Sequence, residues 1–81
     1  MAHLTYKIRL QKEPEKGYTV SVPSLPGCIT YGNDIDEAIA MAKEAIELYI
    51  ESLVEHGEEI PTEDNTFEYS ITVQSDIPQM A

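Results

Sequence analysis

Residues 34–56, DIDEAIAMAKEAIELYIESLVEH, restrict what this chain can fold into more than any other stretch. Ile35, Ala38, Ile39, Ala42, Ile46, Tyr49, Ile50 and Leu53 recur at intervals of three and four, which puts them on one stripe of an α-helix. Asp34 is a good N-cap, and Glu37 three residues later completes a capping box. Gly57 offers a left-handed stop, and Pro61 prevents the helix from restarting. At 1.5 Å per residue the element is roughly 35 Å long. A lone amphipathic helix is marginal in water, so this stripe needs a surface to cover.

The flanking segments supply candidates for that surface. Leu4, Tyr6, Ile8 and Leu10 alternate with polar residues, as do Tyr18, Val20 and Val22, and the turn-forming run 13–17 between them makes a β-hairpin. Prolines 23 and 26 end the second strand, and a short third strand covers residues 28–31. Beyond the helix and an acidic connector, Phe67, Tyr69, Ile71 and Val73 alternate with Glu68, Ser70 and Thr72 and predict a fourth strand. The element order is then β-β-β-α-β in a single α+β domain spanning 1–81, with its core in about 4–75 and a frayed end over 75–81. A right-handed crossover through the helix would set strand four beside strand one. The expected architecture is a four-stranded mixed sheet of order 3-2-1-4 with the helix on one face. The other face, with Thr5, Lys7, Arg9, Ser21, Glu68, Ser70 and Thr72, would be wet.

Charge and cysteine usage narrow the functional classes. Five Lys+Arg against fifteen Asp+Glu give a net charge of −10, which argues against direct binding to a phosphate backbone and suits a basic partner or plain solubility. A lone cysteine, Cys28, forms no internal disulfide and no metal-ligand spacing, so a reducing, cytoplasmic setting is expected. No apolar run approaches the length of a membrane span, and no signal peptide opens the chain.

The motif block 17–23, GYTVSVP, then Leu25-Pro26-Gly27-Cys28-Ile29-Thr30, then Gly32, Glu37-Ala38-Ile39 and the run 44–49, EAIELY, resembles the N-terminal domain of HicB, the antitoxin of HicA–HicB toxin–antitoxin systems. The likeness spans about residues 4–75. It implies a partly degraded ribonuclease H-like fold and a partner, a small basic HicA-type toxin that cleaves mRNA with a catalytic histidine. Family members commonly continue into a DNA-binding domain. Here no recognition helix or basic tail precedes Ala81, so autonomous DNA binding is not expected.

Three functional readings compete. The first is a non-catalytic antitoxin-like protein that masks such a toxin, and the second an orphan homo-oligomer of the same family with no toxin. The third is a degenerate metal-dependent nuclease, but ribonuclease H chemistry needs a carboxylate on the first strand and residues 1–12 contain none. No catalytic, cofactor or metal residue is therefore nominated. His56 suits the helix C-terminal dipole, Cys28 a small buried hydrophobe, and Leu25 a structural place in its loop rather than an exposed anchor. The partner-binding candidates lie opposite the apolar stripe: Met41 and Leu48, seven residues apart, rimmed by Glu44, Glu47, Glu51 and Glu55. Phe67, Tyr69, Ile71 and Val73 would form an edge strand that invites a dimer or tetramer.

Overall fold

A computed structural model describes residues 3–77. The elements are β1 (Arg9–Lys12), β2 (Tyr18–Ser21), β3 (Ile29–Gly32) and α1 (Ile35–Glu55). The strands form an antiparallel sheet in the order β1-β2-β3. Arg9 faces Ser21 and Lys12 faces Tyr18, and on the other side Tyr18 faces Gly32 and Ser21 faces Ile29.

The turn over 13–17 stands where the sequence puts it, closed by the Glu13 N–H donating to the Gly17 carbonyl at 3.0 Å. The first strand is shorter than the expected 4–10. Continuing its register would set Ile8 against Val22 and Lys7 against Pro23. Proline has no N–H to give and the chain turns away there, so the ladder has no partner further back. The alternation itself persists: Tyr6, Ile8 and Leu10 are half-buried between exposed Lys7, Arg9 and Gln11.

The helix keeps its expected ends. Asp34 Oδ1 accepts from the Glu37 N–H at 2.8 Å, while the Glu37 carboxylate accepts from the Asn33 N–H at 2.6 Å, one residue outside a standard capping box. At the far end Gly57 has φ +67°, its N–H donates to the Val54 carbonyl, and the Glu58 N–H donates to the Leu53 carbonyl. That is a Schellman closure. His56 places Nδ1 2.7 Å from the Ser52 carbonyl oxygen, occupying one of the last-turn acceptors.

Two packed clusters join helix and sheet. Val20, Ala38 and Ala42 form one, flanked by Ile8, Leu10 and Tyr18. Val22, Leu25 and Cys28 form the other, against Tyr6, Ala45, Ile46 and Tyr49. Ile46 and Tyr49 thus lie between helix and sheet, as expected. The helix runs so close to β3 that a Cβ on Gly32 would stand 2.3 Å from the Ala38 backbone nitrogen. Only glycine fits there, with alanines opposite.

The four-stranded mixed sheet of order 3-2-1-4, and the ribonuclease H-like arrangement it would represent, is not what the chain forms. Among the described residues the sheet has three strands, all antiparallel. Residues 67–73 carry no strand, and Phe67, Tyr69, Ile71 and Val73 are 75–89% exposed rather than facing Ile39, Ile46, Tyr49 and Leu53. Period-2 alternation reports a segment suited to lie on a half-buried face, but pairing is non-local and needs a free partner at the right place. As a consequence Ile35 and Ile39, on the flank of α1 that strand would have covered, are about half exposed. The last part of the expected frayed end, 78–81, lies outside the described residues.

Candidate partner-binding surfaces

The face of α1 opposite the sheet carries every helix residue nominated above. Met41 and Leu48 are 37% and 59% exposed, and Glu44, Glu47, Glu51 and Glu55 are exposed around them. Seven residues make nearly two full turns, so the two apolar side chains stand on one line about 10 Å apart along the axis. Lys43 Nζ lies 3.8 Å from a Glu47 carboxylate oxygen, an exposed i,i+4 pair worth only a few tenths of a kcal/mol. Among the described residues Glu44, Glu51 and Glu55 have no ion-pair partner, so their charge faces solvent.

The loop 23–27 behaves as scaffold. Leu25 is fully buried, its N–H donates to the Val22 carbonyl, and its own carbonyl accepts from the Cys28 N–H, both at 2.9 Å. Tyr49 on α1 reaches across to donate its hydroxyl to the Pro26 carbonyl at 2.8 Å. Cys28 is buried, and desolvation raises its thiol pKa, the environment of an inert thiol rather than a nucleophile.

Glu63 is the residue that sequence reading passed over. It sits in an acidic connector with nothing to set it apart from Glu58, Glu59 or Asp64. In the fold its carboxylate accepts from the Lys7 backbone N–H at 2.9 Å and the Ser24 hydroxyl at 3.0 Å, with Lys7 Nζ 3.6 Å away and 11% of its side chain exposed. The Lys7 backbone N–H is the main cause that holds its pKa below the ordinary Glu value, against some desolvation, with Ser24 and the Lys7 charge adding to it. Two residues earlier the Pro61 carbonyl accepts from the Tyr6 hydroxyl. Burial, then the nearby Glu63 charge, raises the Tyr6 pKa. The connector is thereby pinned to the segment that leads into β1 and to Ser24, just after β2. A shallow cleft between Arg9 and residues 67–70 follows.

Among the described residues no three His, Cys, Asp or Glu side chains gather as a metal-ligand set, and no helix is long and apolar enough to cross a membrane. What the molecule presents is surface: an acidic helix face with an apolar line, and an exposed apolar segment at 67–73.

Comparison with known proteins agrees on one family. Residues 6–76 match the HicB_like antitoxin of bacterial toxin-antitoxin systems. A UPF0150 protein of Thermoplasma acidophilum is 44% identical over 68 residues, which cover 84% of this chain and 97% of that protein. Antitoxin HicB 1 of Photorhabdus laumondii subsp. laumondii is 36% identical over 59 residues, covering 73% of this chain but only 38% of the longer relative. In structure, the N-terminal domain of the Burkholderia pseudomallei antitoxin HicB aligns with a TM-score of 0.60 at 33% identity, over 82% of this chain and 69% of that one. This chain belongs to the HicB-like antitoxin family of bacterial toxin–antitoxin systems.

Proposed function

We propose that this chain is the antitoxin of a toxin–antitoxin pair, acting in the cytoplasm, and that it inactivates a small basic mRNA-cleaving toxin of the HicA type by binding and covering it. It does so without catalysis of its own. The observation that carries the reading is the outer face of α1 in a chain of this family: Met41 and Leu48 in line, with unpaired Glu44, Glu51 and Glu55 around them. That is the composition of an interface core and its polar rim. A toxin that grips RNA must present cations to phosphates. Carboxylates held on a rigid helix can take the place of those phosphates, while Met41 and Leu48 exclude water at the centre. Long-range attraction between an acidic face and a basic toxin raises the association rate, and the apolar pair sets the lifetime of the complex. Glu47, partly engaged by Lys43, contributes at the flank. A degenerate nuclease draws no support from this face, whose carboxylates point to solvent around the helix without converging.

The test is binding of a HicA-type toxin at several salt concentrations. Glu44→Lys or Glu51→Lys should slow association and flatten its salt dependence, and Leu48→Asp should speed dissociation. Unchanged binding by a folded Glu44→Lys/Leu48→Asp double variant would remove this face from the complex.

A further inference from the structure

Residues 3–8 lead into β1 with no ladder beside them among the described residues. The register would bring Lys7 to Pro23, beyond the end of β2, and the Lys7 N–H goes to Glu63 instead. One Glu63 carboxylate oxygen accepts from that N–H at 2.9 Å and from the Ser24 hydroxyl at 3.0 Å, and the other lies 3.6 Å from Lys7 Nζ. Next along the chain, the Tyr6 hydroxyl donates to the Pro61 carbonyl. The same leading residues border α1 across an apolar groove of about 570 Å³, with Leu4, Tyr6 and Ile8 on one wall and Ile39, Ile46 and Ile50 on the other. Apolar burial is non-directional, so the bonds to the connector are what fix the course of the leading segment. We infer that the connector is a strap latched through Glu63, which holds residues 3–7 beside α1, and that its release bares the α1 wall of the groove while sheet and helix stay folded.

Two features make the strap separable from the fold beneath it. Its attachments are few and close together. The backbone bonds of 58–66 are local, from the Glu58 N–H to the Leu53 carbonyl and from the Thr66 N–H to the Glu63 carbonyl, and the connector reaches distant segments through Pro61 and Glu63, two residues apart. Bonds to a carboxylate are about twice as strong as neutral ones, so one side chain, 11% exposed, carries most of the hold. The core, in contrast, closes without the connector. Val20, Ala38 and Ala42 pack with residues of the leading segment and β2, and Val22, Leu25 and Cys28 with Tyr6, Ile8 and α1, and neither cluster draws a residue from 58–66. A segment held by side-chain bonds at two points opens at a lower cost than a helix packed on a sheet. Tyr6 and Lys7, one on each anchor, tie the leading segment to the strap as one unit.

Amide hydrogen exchange of the full chain at neutral pH, read by NMR without toxin, tests this. The Lys7 amide should be protected at least about tenfold less than the α1 amides around Ala42, because it opens with the strap and not with the whole fold. Tyr6→Phe leaves Glu63 in place as the partner of the Lys7 N–H, yet it should lower Lys7 protection by about threefold or more, since the two anchors act together. Glu63→Ala should raise the fluorescence of added Nile red several-fold, with helical circular dichroism unchanged. That probe is neutral, so the net charge of −10 does not repel it. Lys7 protection equal to that of α1 overturns the inference, because the connector would then open only with the core. So does a Lys7 amide indifferent to Tyr6→Phe, which would make the anchors two independent contacts, or a folded Glu63→Ala chain with no gain in Nile red. No toxin enters these measurements, so their failure leaves the antitoxin reading standing.

Discussion

Leu25 and Phe67 are both large apolar residues outside regular structure, and their fates are opposite. Leu25 is fully buried, whereas Phe67 is 89% exposed. Leu25 takes the structural place in its loop that the sequence suggests, whereas Phe67, which opens the longest uninterrupted alternation after the helix, does not take the half-buried place its pattern predicts. The difference lies in where the backbone finds its hydrogen bonds. The loop satisfies itself, with Leu25 N–H on Val22, Cys28 N–H on Leu25 and Val22 N–H on Cys28, so it can sink its side chain beneath α1. Residues 67–73 have no ladder among the described residues, and an extended backbone without one stays in water. Burial follows from which neighbours can complete a segment's polar needs.

That contrast can be broken at several points. Leu25→Ala should cost the most, about 2–5 kcal/mol in denaturant unfolding, because it opens a cavity under Ile46 and Tyr49. A loss below ~1 kcal/mol would mean the loop is not part of the core. Gly32→Ala should cost about 1–3 kcal/mol by overpacking, since its Cβ would meet the Ala38 backbone rather than a movable side chain. Tyr49→Phe removes the hydroxyl that ties α1 to Pro26 and should cost about 0.5–1.5 kcal/mol.

Acid should release the connector before the core. The Glu63 pKa is lowered in the fold, so its contribution is present above the unfolded Glu value of about 4.3 and is lost as pH falls through the lower folded value. The protection of the Lys7 amide against hydrogen exchange, measured relative to its intrinsic rate at each pH, should fall in that range, and Glu63→Gln should show the lower protection already at neutral pH. The smallest effect belongs to Phe67→Ser. At concentrations where the chain is monomeric it should shift stability by less than ~0.5 kcal/mol. A larger loss there would show that the segment packs on its own chain.

Much of the fold was legible from local signals. Asp34, Glu37 and Gly57 mark the helix ends by hydrogen-bonding and backbone chemistry that acts within a few residues, and the chain ends its helix there. The hairpin turn and the alternation around it were equally local. The candidate face was legible in the same way, because helical periodicity alone places Met41, Leu48 and the glutamates opposite the buried stripe. Glu63 was not, since its partners Lys7 and Ser24 are 56 and 39 residues away and only the folded chain brings them to one carboxylate.

The sequence by itself determined the helix with its caps, the antiparallel meander, the acidic outer face and the family, each set by spacing, charge or motif within a short window. Tertiary structure decided how many strands the sheet has, how far β1 extends, why residue 32 must be glycine and where the apolar groove lies open. Those outcomes depend on closing distances between segments far apart in the chain. A pattern of alternating side chains states that a strand can be half-buried, but whether a surface stands there to receive it is a property of the assembled fold.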